Sequence, residues 1–279
     1  PYIAEDASEL VEVTFEDLPV IIDAMQQPAE FVDGFLTEPA ILEKGYGDID
    51  RAFANAEHKL SLELFVGRHS GVPLETRGLL ALYDAAKDHL WLYGAAKRPH
   101  WNRDQLAEIL KRPPSKIDLV ENHVGGGFGV RGELYPEDLL ICQAALKLGR
   151  PVKWIEDRRE NLMATNHSRQ QHHLIKAAVD ADGRILGIDL LVHHDQGAYV
   201  RTHGARVADM TIGLLLGPYK VAAYRAKLHF RLTNKTPAAT YRSPGRFEGT
   251  FVRERLMDEI ANQLELDPIL VRQRNLVTK

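Results

Sequence analysis

The sequence predicts an α+β fold, and three observations lead to that prediction. Segments in which apolar and polar residues alternate, as in strands, are mixed with segments whose apolar residues recur every three or four positions, as in helices. The two kinds of segment do not alternate strictly along the chain, as they would in an α/β fold. Of the 279 residues, 44% are hydrophobic, which suits a globular protein with a sizeable core.

The amino-terminal half is predicted to combine helices with several short strands. The strands are indicated by alternation around leucine and valine, and the second helix by the cap residue Asn102 at its start. In chain order we expect a helix at residues 4–10, strands at 11–15, 58–66, 79–83 and 90–93, and a helix at 102–110. The turn between the last two strands is expected at residues 84–88.

The carboxy-terminal half has clearer boundaries. Pro136 in a first helical turn and Gly149 at the far end delimit a helix of about 13 residues. Beyond it we expect a strand at residues 151–155, a hairpin of 174–179 with 185–192, a strand at 224–232, a helix at 249–263 and a final turn capped by Asp267-Pro268.

Composition and charge exclude several classes of protein. The net charge of −4 at pH 7 gives no general attraction to nucleic acid. No apolar run approaches the roughly 20 residues that span a bilayer, and no secretory leader is recognisable. The single cysteine, Cys142, fits a reducing compartment. We therefore expect a cytoplasmic protein without a membrane span.

The most informative motif is a glycine-rich loop at residues 124–133, where five of ten residues are glycine and Phe128 stands among them. Glycines at this density cost chain entropy, but they allow the backbone to approach a ligand closely and aim several N–H groups at oxygen or phosphate. The spacing Gly-Gly-Gly-Phe-Gly is not the dinucleotide fingerprint. The sequence also lacks a P-loop, a Gly-x-Ser-x-Gly elbow and a Cys-x-x-Cys motif.

Other polar clusters receive structural interpretations. Neighbouring strand residues point to opposite faces, so adjacent histidines seldom share a metal ion, although a zinc or iron site stays open as the alternative. The histidines concerned are His167, His172, His173, His193, His194 and His203. We interpret residues 180–183 as a plain turn, Cys142 as buried in its helix, and the runs 158–159 and 253–255 as surface charges or ion pairs.

Four segments together resemble the large, molybdopterin-binding subunit of the molybdenum hydroxylases, the family of xanthine dehydrogenase, aldehyde oxidoreductase and aerobic carbon monoxide dehydrogenase. They are residues 71–78, the loop at 125–129, residues 234–245 around Tyr241-Arg242, and 251–258 with Asp267-Pro268. They occur in the family's order, with plausible spacing, across nearly the whole chain. The resemblance divides the chain into residues 1–45, the end of an α/β hammerhead domain with a connector, and 46–279, the first molybdopterin-binding domain.

The resemblance also implies roles for individual residues. The loop residues Gly126, Gly127, Phe128 and Gly129, together with Arg242, would bind Mo-molybdopterin in its cytosine dinucleotide form, and no residue of this chain would bind the metal directly. Ser243 and Pro244 would face the substrate. Carbon monoxide dehydrogenases of the copper type have a cysteine at the position of Ser243, and a serine hydroxyl cannot replace a thiolate for copper(I). We therefore expect no copper-dependent oxidation of carbon monoxide.

Two positions depart from the family's pattern. Many relatives have a glutamine beside the molybdenum where this chain has Lys97, which would add positive charge there. Xanthine-type relatives have a substrate-binding glutamate that aligns with Gly132, whereas Glu133 comes one residue later. The resemblance assigns Lys97 to the cofactor and Glu133 to the substrate loop, and the displaced glutamate does not favour purine recognition.

The resemblance further implies that this chain acts with partners. The family's catalytic glutamate, the base for a metal-bound water, belongs to a second molybdopterin-binding region that nothing in residues 1–279 resembles. The chain would thus be cut, processed or completed by a second segment or subunit, and [2Fe–2S] and FAD subunits would carry electrons away. Hydroxylation of an aldehyde or N-heterocycle with water as oxygen source is the expected reaction. The alternatives are a non-catalytic cofactor-clamping or assembly subunit, and an unrelated anion-binding module.

Overall fold

The computed structural model describes residues 2–94, 96 and 98–278. Its helices are α1 (Tyr2–Glu9), α2 (Ile49–Ala54), α3 (Pro99–Ile109), α4 (Pro136–Leu148), α5 (Arg158–Ala164), α6 (Gly204–Gly213), α7 (Arg246–Gln263) and α8 (Pro268–Asn275). Its strands are β1 (Glu30–Val32), β2 (Phe35–Leu36), β3 (Ala40–Tyr46), β4 (His58–Ser70), β5 (Gly78–Asp84), β6 (His89–Gly94), β7 (Ile117–Val120), β8 (Val152–Ile155), β9 (His167–Val179), β10 (Ile185–Gly197) and β11 (Ala223–Leu232). The predicted mixture of helices and strands is confirmed.

A five-stranded sheet in the order β3-β11-β10-β9-β4 forms the larger half of the fold. Its strands pair antiparallel except for the parallel pair of β10 and β11. Alternate residues of each strand face α6 and α7, and the resulting core includes the fully buried Ile175, Leu190, Leu228, Leu256 and Ile260. At about 25 cal/mol per Å² of apolar surface, this burial supplies the main driving force for folding.

A four-stranded sheet in the order β7-β6-β5-β8 forms a second layer with α3 and α4. Its core contains the fully buried Leu90, Leu92, Leu106 and Ile117. The thiol of Cys142 lies among them, and burial raises its pKa to about 12, as expected of a structural rather than a reactive cysteine. The glycine-rich loop connects β7 of this sheet to α4.

Several predicted elements are confirmed. The predicted hairpins correspond to β5 with β6 and to β9 with β10, and both strands of the second hairpin are longer than predicted. The turn at 180–183 is a plain turn, closed by a hydrogen bond from Gly183 N to Asp180 O. Helix α4 has the predicted 13 residues and ends at Gly149, whose φ of 58° is left-handed.

One predicted strand is wrong, and two predicted helices begin three residues later than the observed helices. Residues 11–15 form no strand, because no neighbouring strand pairs with them and the side chains of Val11, Val13 and Phe15 are exposed. Helix α3 begins at Pro99, which suits a first helical position, and Asn102 is buried in the helix instead of capping it. Helix α7 begins at Arg246, three residues before Gly249, where the sequence had placed its start.

Strand β3 crosses the proposed domain boundary between residues 45 and 46. It spans Ala40–Tyr46 and pairs with β11 at the edge of the five-stranded sheet. The side chain of Asn234 also accepts a hydrogen bond from Ile21 N at 2.5 Å. The connector is therefore joined to the main sheet. No helix within the described residues is both long and apolar enough to cross a membrane.

Candidate functional site

The glycine-rich loop has a backbone that ordinary residues adopt only with strain. The φ angles of Gly126 and Gly129 are both 105°, and that of Phe128 is 49°. At Gly129 a Cβ atom would lie 2.9 Å from Thr240 Cγ2 and 3.1 Å from Thr240 O. Glycine is therefore required at position 129 for two independent reasons, the positive φ and the close contact.

Four consecutive backbone N–H groups of this loop have no acceptor among the described residues. Within the described part of the chain, the amides of Gly126, Gly127, Phe128 and Gly129 donate no hydrogen bond. A Cβ atom on Gly127 would meet only Arg131 Cβ, at 4.0 Å, so the space beside it is open. Successive unpaired amides in a turn of mixed handedness form a concave donor surface that suits an anion or an oxygen-rich ligand.

The segment around Arg242 contacts this loop directly. The amide of Arg242 donates to Phe128 O at 2.8 Å, and its guanidinium lies over the Phe128 ring, 5.7 Å from the ring centroid. The prediction that the two segments meet is confirmed. The Arg242 side chain is exposed and forms no ion pair with any described residue. It adds an available cation beside the unpaired amides.

The buried arginine Arg131 holds the glycine-rich loop through hydrogen bonds to backbone carbonyls. Its guanidinium donates to Gly126 O at 2.8 Å and to Thr76 O at 2.9 Å. Glu75 also binds the loop, because Gly125 N donates to its carboxylate at 2.7 Å and Glu75 N donates to Gly125 O at 3.1 Å. Residues 71–78, which carry part of the family resemblance, thus support the glycine-rich loop. Sequence reasoning missed Arg131, although a basic residue inside a glycine-rich loop is a usable signal.

Glu133, the last residue of the glycine-rich loop, has a buried carboxylate. It accepts hydrogen bonds from the Thr202 hydroxyl, from His203 Nδ1 at 3.2 Å and from Thr240 N at 3.3 Å. His203 Nε2 in turn lies 2.6 Å from Arg98 Nη1. These contacts favour a positioning role for Glu133, and its assignment to the substrate loop stays a prediction.

The other residues assigned from the family resemblance are Ser243 and Pro244, which lie shortly before α7, and Lys97. Ser243 is exposed with a φ of 53°, and Pro244 is half-buried. Both directly follow Arg242, next to the glycine-rich loop. Lys97 lies outside the described residues.

Backbone strain is concentrated at this site. Among the described residues, seven other than glycine have positive φ, and four of them lie in or beside the loop: Val72, Phe128, Arg169 and Ser243. The other three, Asp88, Lys111 and Glu265, lie in turns. Strained backbone persists only where surrounding contacts enforce it, and it accumulates at functional sites.

The histidines are divided between the two faces of the larger sheet. His173 and His194 are fully buried against the core, and burial lowers their pKa to about 3 and about 4. On the opposite face His172, His193 and His229 lie side by side in register, and the rings of the last two stack at 4.9 Å. No group of three or more histidine, cysteine or acidic side chains among the described residues has the arrangement of a metal site.

One cavity lies away from the loop. It has a volume of about 560 Å³ on the outer face of the larger sheet, beside Leu174, Leu191 and Lys227. Part of its charged lining is paired, as Arg225 is with Asp189 at 2.8 Å and Lys227 is with Glu43 at 3.7 Å. The unpaired amides and the exposed Arg242 make the glycine-rich loop the better candidate site.

An α+β domain with a donor-rich glycine loop and an adjacent arginine is thus what the fold and the site define. The sequence matches the molybdopterin cofactor-binding domain over residues 36–276, and the chain belongs to that family. The resemblance to molybdenum hydroxylase large subunits is confirmed.

Known relatives extend this comparison. The chain is 44% identical, over its whole length, to the 6-hydroxypseudooxynicotine dehydrogenase complex subunit gamma of Paenarthrobacter nicotinovorans, of which it covers 35%. It is 33% identical to the carbon monoxide dehydrogenase large chain of Hydrogenophaga pseudoflava, and covers 37% of that protein. The crystal structure of quinoline 2-oxidoreductase from Pseudomonas putida 86 superposes with a TM-score of 0.91 at 34% identity, over 99% of this chain and 36% of that one. The chain thus spans about a third of the length of these relatives.

Proposed function

We propose that this chain forms the molybdopterin-binding part of an oxidoreductase that hydroxylates an aldehyde or an N-heterocycle with water as the oxygen source. The observation that carries the proposal is the set of four unpaired amides at residues 126–129 beside the exposed guanidinium of Arg242. Relatives named as dehydrogenases of a nicotine-derived compound and of carbon monoxide support the class of reaction.

The residues at the site fit this cofactor. Molybdopterin is an anion with several oxygen acceptors, and unpaired amides with a nearby cation are the donors that such a group requires. We propose that the amides of residues 126–129 and Arg242 hold it, with Lys97 as a further contact. When bound, the group supplies two-electron oxidation of the substrate. The open space beside Gly127 allows close approach of the backbone.

The substrate side of the site is assigned to Ser243 and Pro244. Both are part of the turn that carries Arg242, so a substrate near the cofactor would meet them first. The serine provides a hydroxyl and no thiolate, and copper(I) prefers soft sulfur ligands. We therefore propose an organic substrate and no copper site.

The remaining components are proposed from the relatives. Because those proteins are about three times as long as the matched region, we place the general base, a glutamate, in a second molybdopterin-binding segment or subunit. We further propose the cytosine dinucleotide form of the cofactor, [2Fe–2S] and FAD on partner subunits, and a cytoplasmic location. Residues 1–45 are proposed as the end of an α/β hammerhead domain.

The test uses the full-length protein in its assembled complex. Molybdenum is measured by mass spectrometry of the metal and pterin by fluorescence after oxidation, in the wild type and in Arg242→Gln. We expect about one molybdenum per chain in the wild type and at least a tenfold loss in the variant, because a charge-assisted contact is removed. The exposed Arg255 on α7 supplies the control Arg255→Gln, which should keep the metal.

Two results contradict the proposal. The first is a wild-type complex, purified from cells that make the cofactor, without molybdenum or pterin. The second is equal molybdenum content in Arg242→Gln and Arg255→Gln. A complex that contains pterin but reduces no dye with quinoline or an aromatic aldehyde as substrate would favour the clamping or assembly role.

A further inference from the structure

Beneath the Arg242 turn lies a second arginine, Arg169, whose contacts are unusual for a strand residue. Its guanidinium is buried between two aromatic rings, 4.2 Å from the Phe247 centroid and 4.9 Å from the Tyr241 centroid. It also pairs with the buried carboxylate of Glu248 at 3.3 Å. All three partners belong to residues 241–248, the segment that begins at the candidate site and enters α7.

The same guanidinium donates to the backbone of the turn. Arg169 Nη2 donates to Arg242 O at 2.5 Å, and Nη1 lies 3.5 Å from Ser243 O. The amide of Arg242 donates in turn to Phe128 O. A continuous path of contacts therefore connects β9 to the turn and then to the glycine-rich loop.

The backbone of Arg169 is strained, with a φ of 82° inside strand β9. A residue with a side chain keeps this conformation only when its surroundings enforce it, and here the stacking, the ion pair and the two carbonyl contacts do so. The turn that it holds is strained as well, since Ser243 has a φ of 53°. The other carboxylate oxygen of Glu248 has no partner among the described residues, so the pair is not simply a fully satisfied core network.

We propose that Arg169 is a positioning residue that sets the conformation of the turn at residues 242–244. It thereby determines where the Arg242 guanidinium and the Ser243 hydroxyl lie relative to the glycine-rich loop. This inference rests on the proposed function, in which that turn faces the cofactor and the substrate. Lysine cannot replace the arginine here, because it lacks the planar fork that reaches two carbonyls while stacking between two rings.

The experiment measures hydrogen exchange by mass spectrometry in the full-length assembled complex. The variant is Arg169→Lys. The control is Arg68→Lys, a mutation of the neighbouring strand's arginine, which pairs with Asp195 at 2.8 Å and also donates to the Thr236 carbonyl. We expect exchange in peptides covering residues 126–130 and 240–246 to accelerate at least about tenfold in Arg169→Lys, with no change there in Arg68→Lys. The rest of β9 should exchange as in the wild type.

Steady-state kinetics with quinoline give a second readout. If the wild type oxidises quinoline, Arg169→Lys should keep its molybdenum and lower kcat/KM by about tenfold or more, since a small misplacement of positioning groups has effects of this size. If the wild type lacks molybdenum, the proposed function fails, and the exchange data still decide whether Arg169 sets the turn.

A milder variant, Glu248→Gln, covers the case in which Arg169→Lys does not fold. It leaves the arginine in place and removes the ion pair, so faster exchange confined to residues 240–246 supports the inference. Unchanged exchange at residues 240–246 in the folded Glu248→Gln variant overturns the inference. So does an increase spread over the whole larger sheet, because a merely structural role would produce that pattern.

Discussion

The glycine-rich loop and the core of the larger sheet differ in backbone hydrogen bonding and in backbone strain. In the core, residues 171–178 of β9 pair with residues 187–194 of β10 without a register shift, and residues such as Ile175 and Leu190 are fully buried. In the loop, four amides are unpaired and Phe128 has a positive φ. The core of the larger sheet thus contributes stability, whereas the glycine-rich loop has a strained backbone. Such strain is expected where binding requires a shape that the chain would not otherwise adopt.

The largest expected effect lies in the core. Leu256 of α7 is fully buried among the strands and α6, so Leu256→Ala should lower the free energy of unfolding by about 2–5 kcal/mol through lost burial and the cavity left behind. Chemical denaturation measures it. Leu74, which is 93% exposed, supplies the control Leu74→Ala, with a change expected within about 0.5 kcal/mol. Equal effects of the two would contradict the assigned core.

The second prediction compares two glycines of one loop. Gly129→Ala should destabilise the protein by about 1–3 kcal/mol, because its φ is 105° and the new Cβ would lie 2.9 Å from Thr240 Cγ2. Gly127→Ala should leave the free energy of unfolding unchanged or slightly higher, because its Cβ would meet only Arg131 Cβ at 4.0 Å. Thermal and chemical unfolding of both variants provide the measurement. The description of the loop is wrong if Gly127→Ala is the more destabilising of the two.

The third prediction concerns pH. Burial lowers the pKa of His173 to about 3, below that of an exposed histidine, so protonation favours the unfolded state. Its contribution to stability is complete above about pH 6.5 and is lost as the pH falls, by about 1.4 kcal/mol per unit. Asp138 acts in the opposite direction, because burial raises its pKa to about 6 and its contribution is lost as the pH rises through that value. His194, with a pKa lowered to about 4, adds to the effect of His173.

A leucine at position 173 isolates one of these groups. His173 has no hydrogen-bond partner among the described residues and lies between its cross-strand neighbours Leu64 and Val192. His173→Leu should therefore reduce the loss of stability between pH 7 and pH 5 by about 2 kcal/mol. The exposed Leu74 gives the control Leu74→Ala, which removes no ionisable group and should leave the pH dependence unchanged. An identical slope in His173→Leu and the wild type would count against a buried neutral imidazole.

Much of the fold could be predicted because local signals agreed with tertiary packing. Pro136 and Gly149 delimit α4 correctly, and alternation located the strands of both hairpins. Helix α6 was missed because it begins and ends with glycine, and the burial of Val207 and Ile212 stabilises it instead of intrinsic propensity. The predicted strand at 11–15 failed for the converse reason, since its alternation meets no partner strand.

The site was predictable in part. The glycine-rich loop and Arg242 were recognised from motifs, and their contact follows from the fold. Arg131 and Arg169 hold the two segments in place. Arg131 has a sequence signal, its position inside the glycine-rich loop, whereas Arg169 is an ordinary polar residue of a strand pattern. Their importance depends on burial and on carbonyl partners such as Thr76 O and Arg242 O, which are distant in sequence. No local pattern encodes such contacts.

The smallest expected effect concerns the turn at residues 242–244. Ser243 has a φ of 53° and an exposed side chain, so Ser243→Gly should raise the free energy of unfolding by up to about 1 kcal/mol, because glycine adopts this conformation without steric cost. Ser243→Ala keeps the strain and removes only the hydroxyl, and should stay within about 0.5 kcal/mol of the wild type. Unfolding curves of the two variants, measured beside molybdenum content, separate strain from ligand contact. A stability loss in Ser243→Gly larger than in Ser243→Ala would mean that the turn is not strained, and the contrast between loop and core would then be limited to residues 126–129.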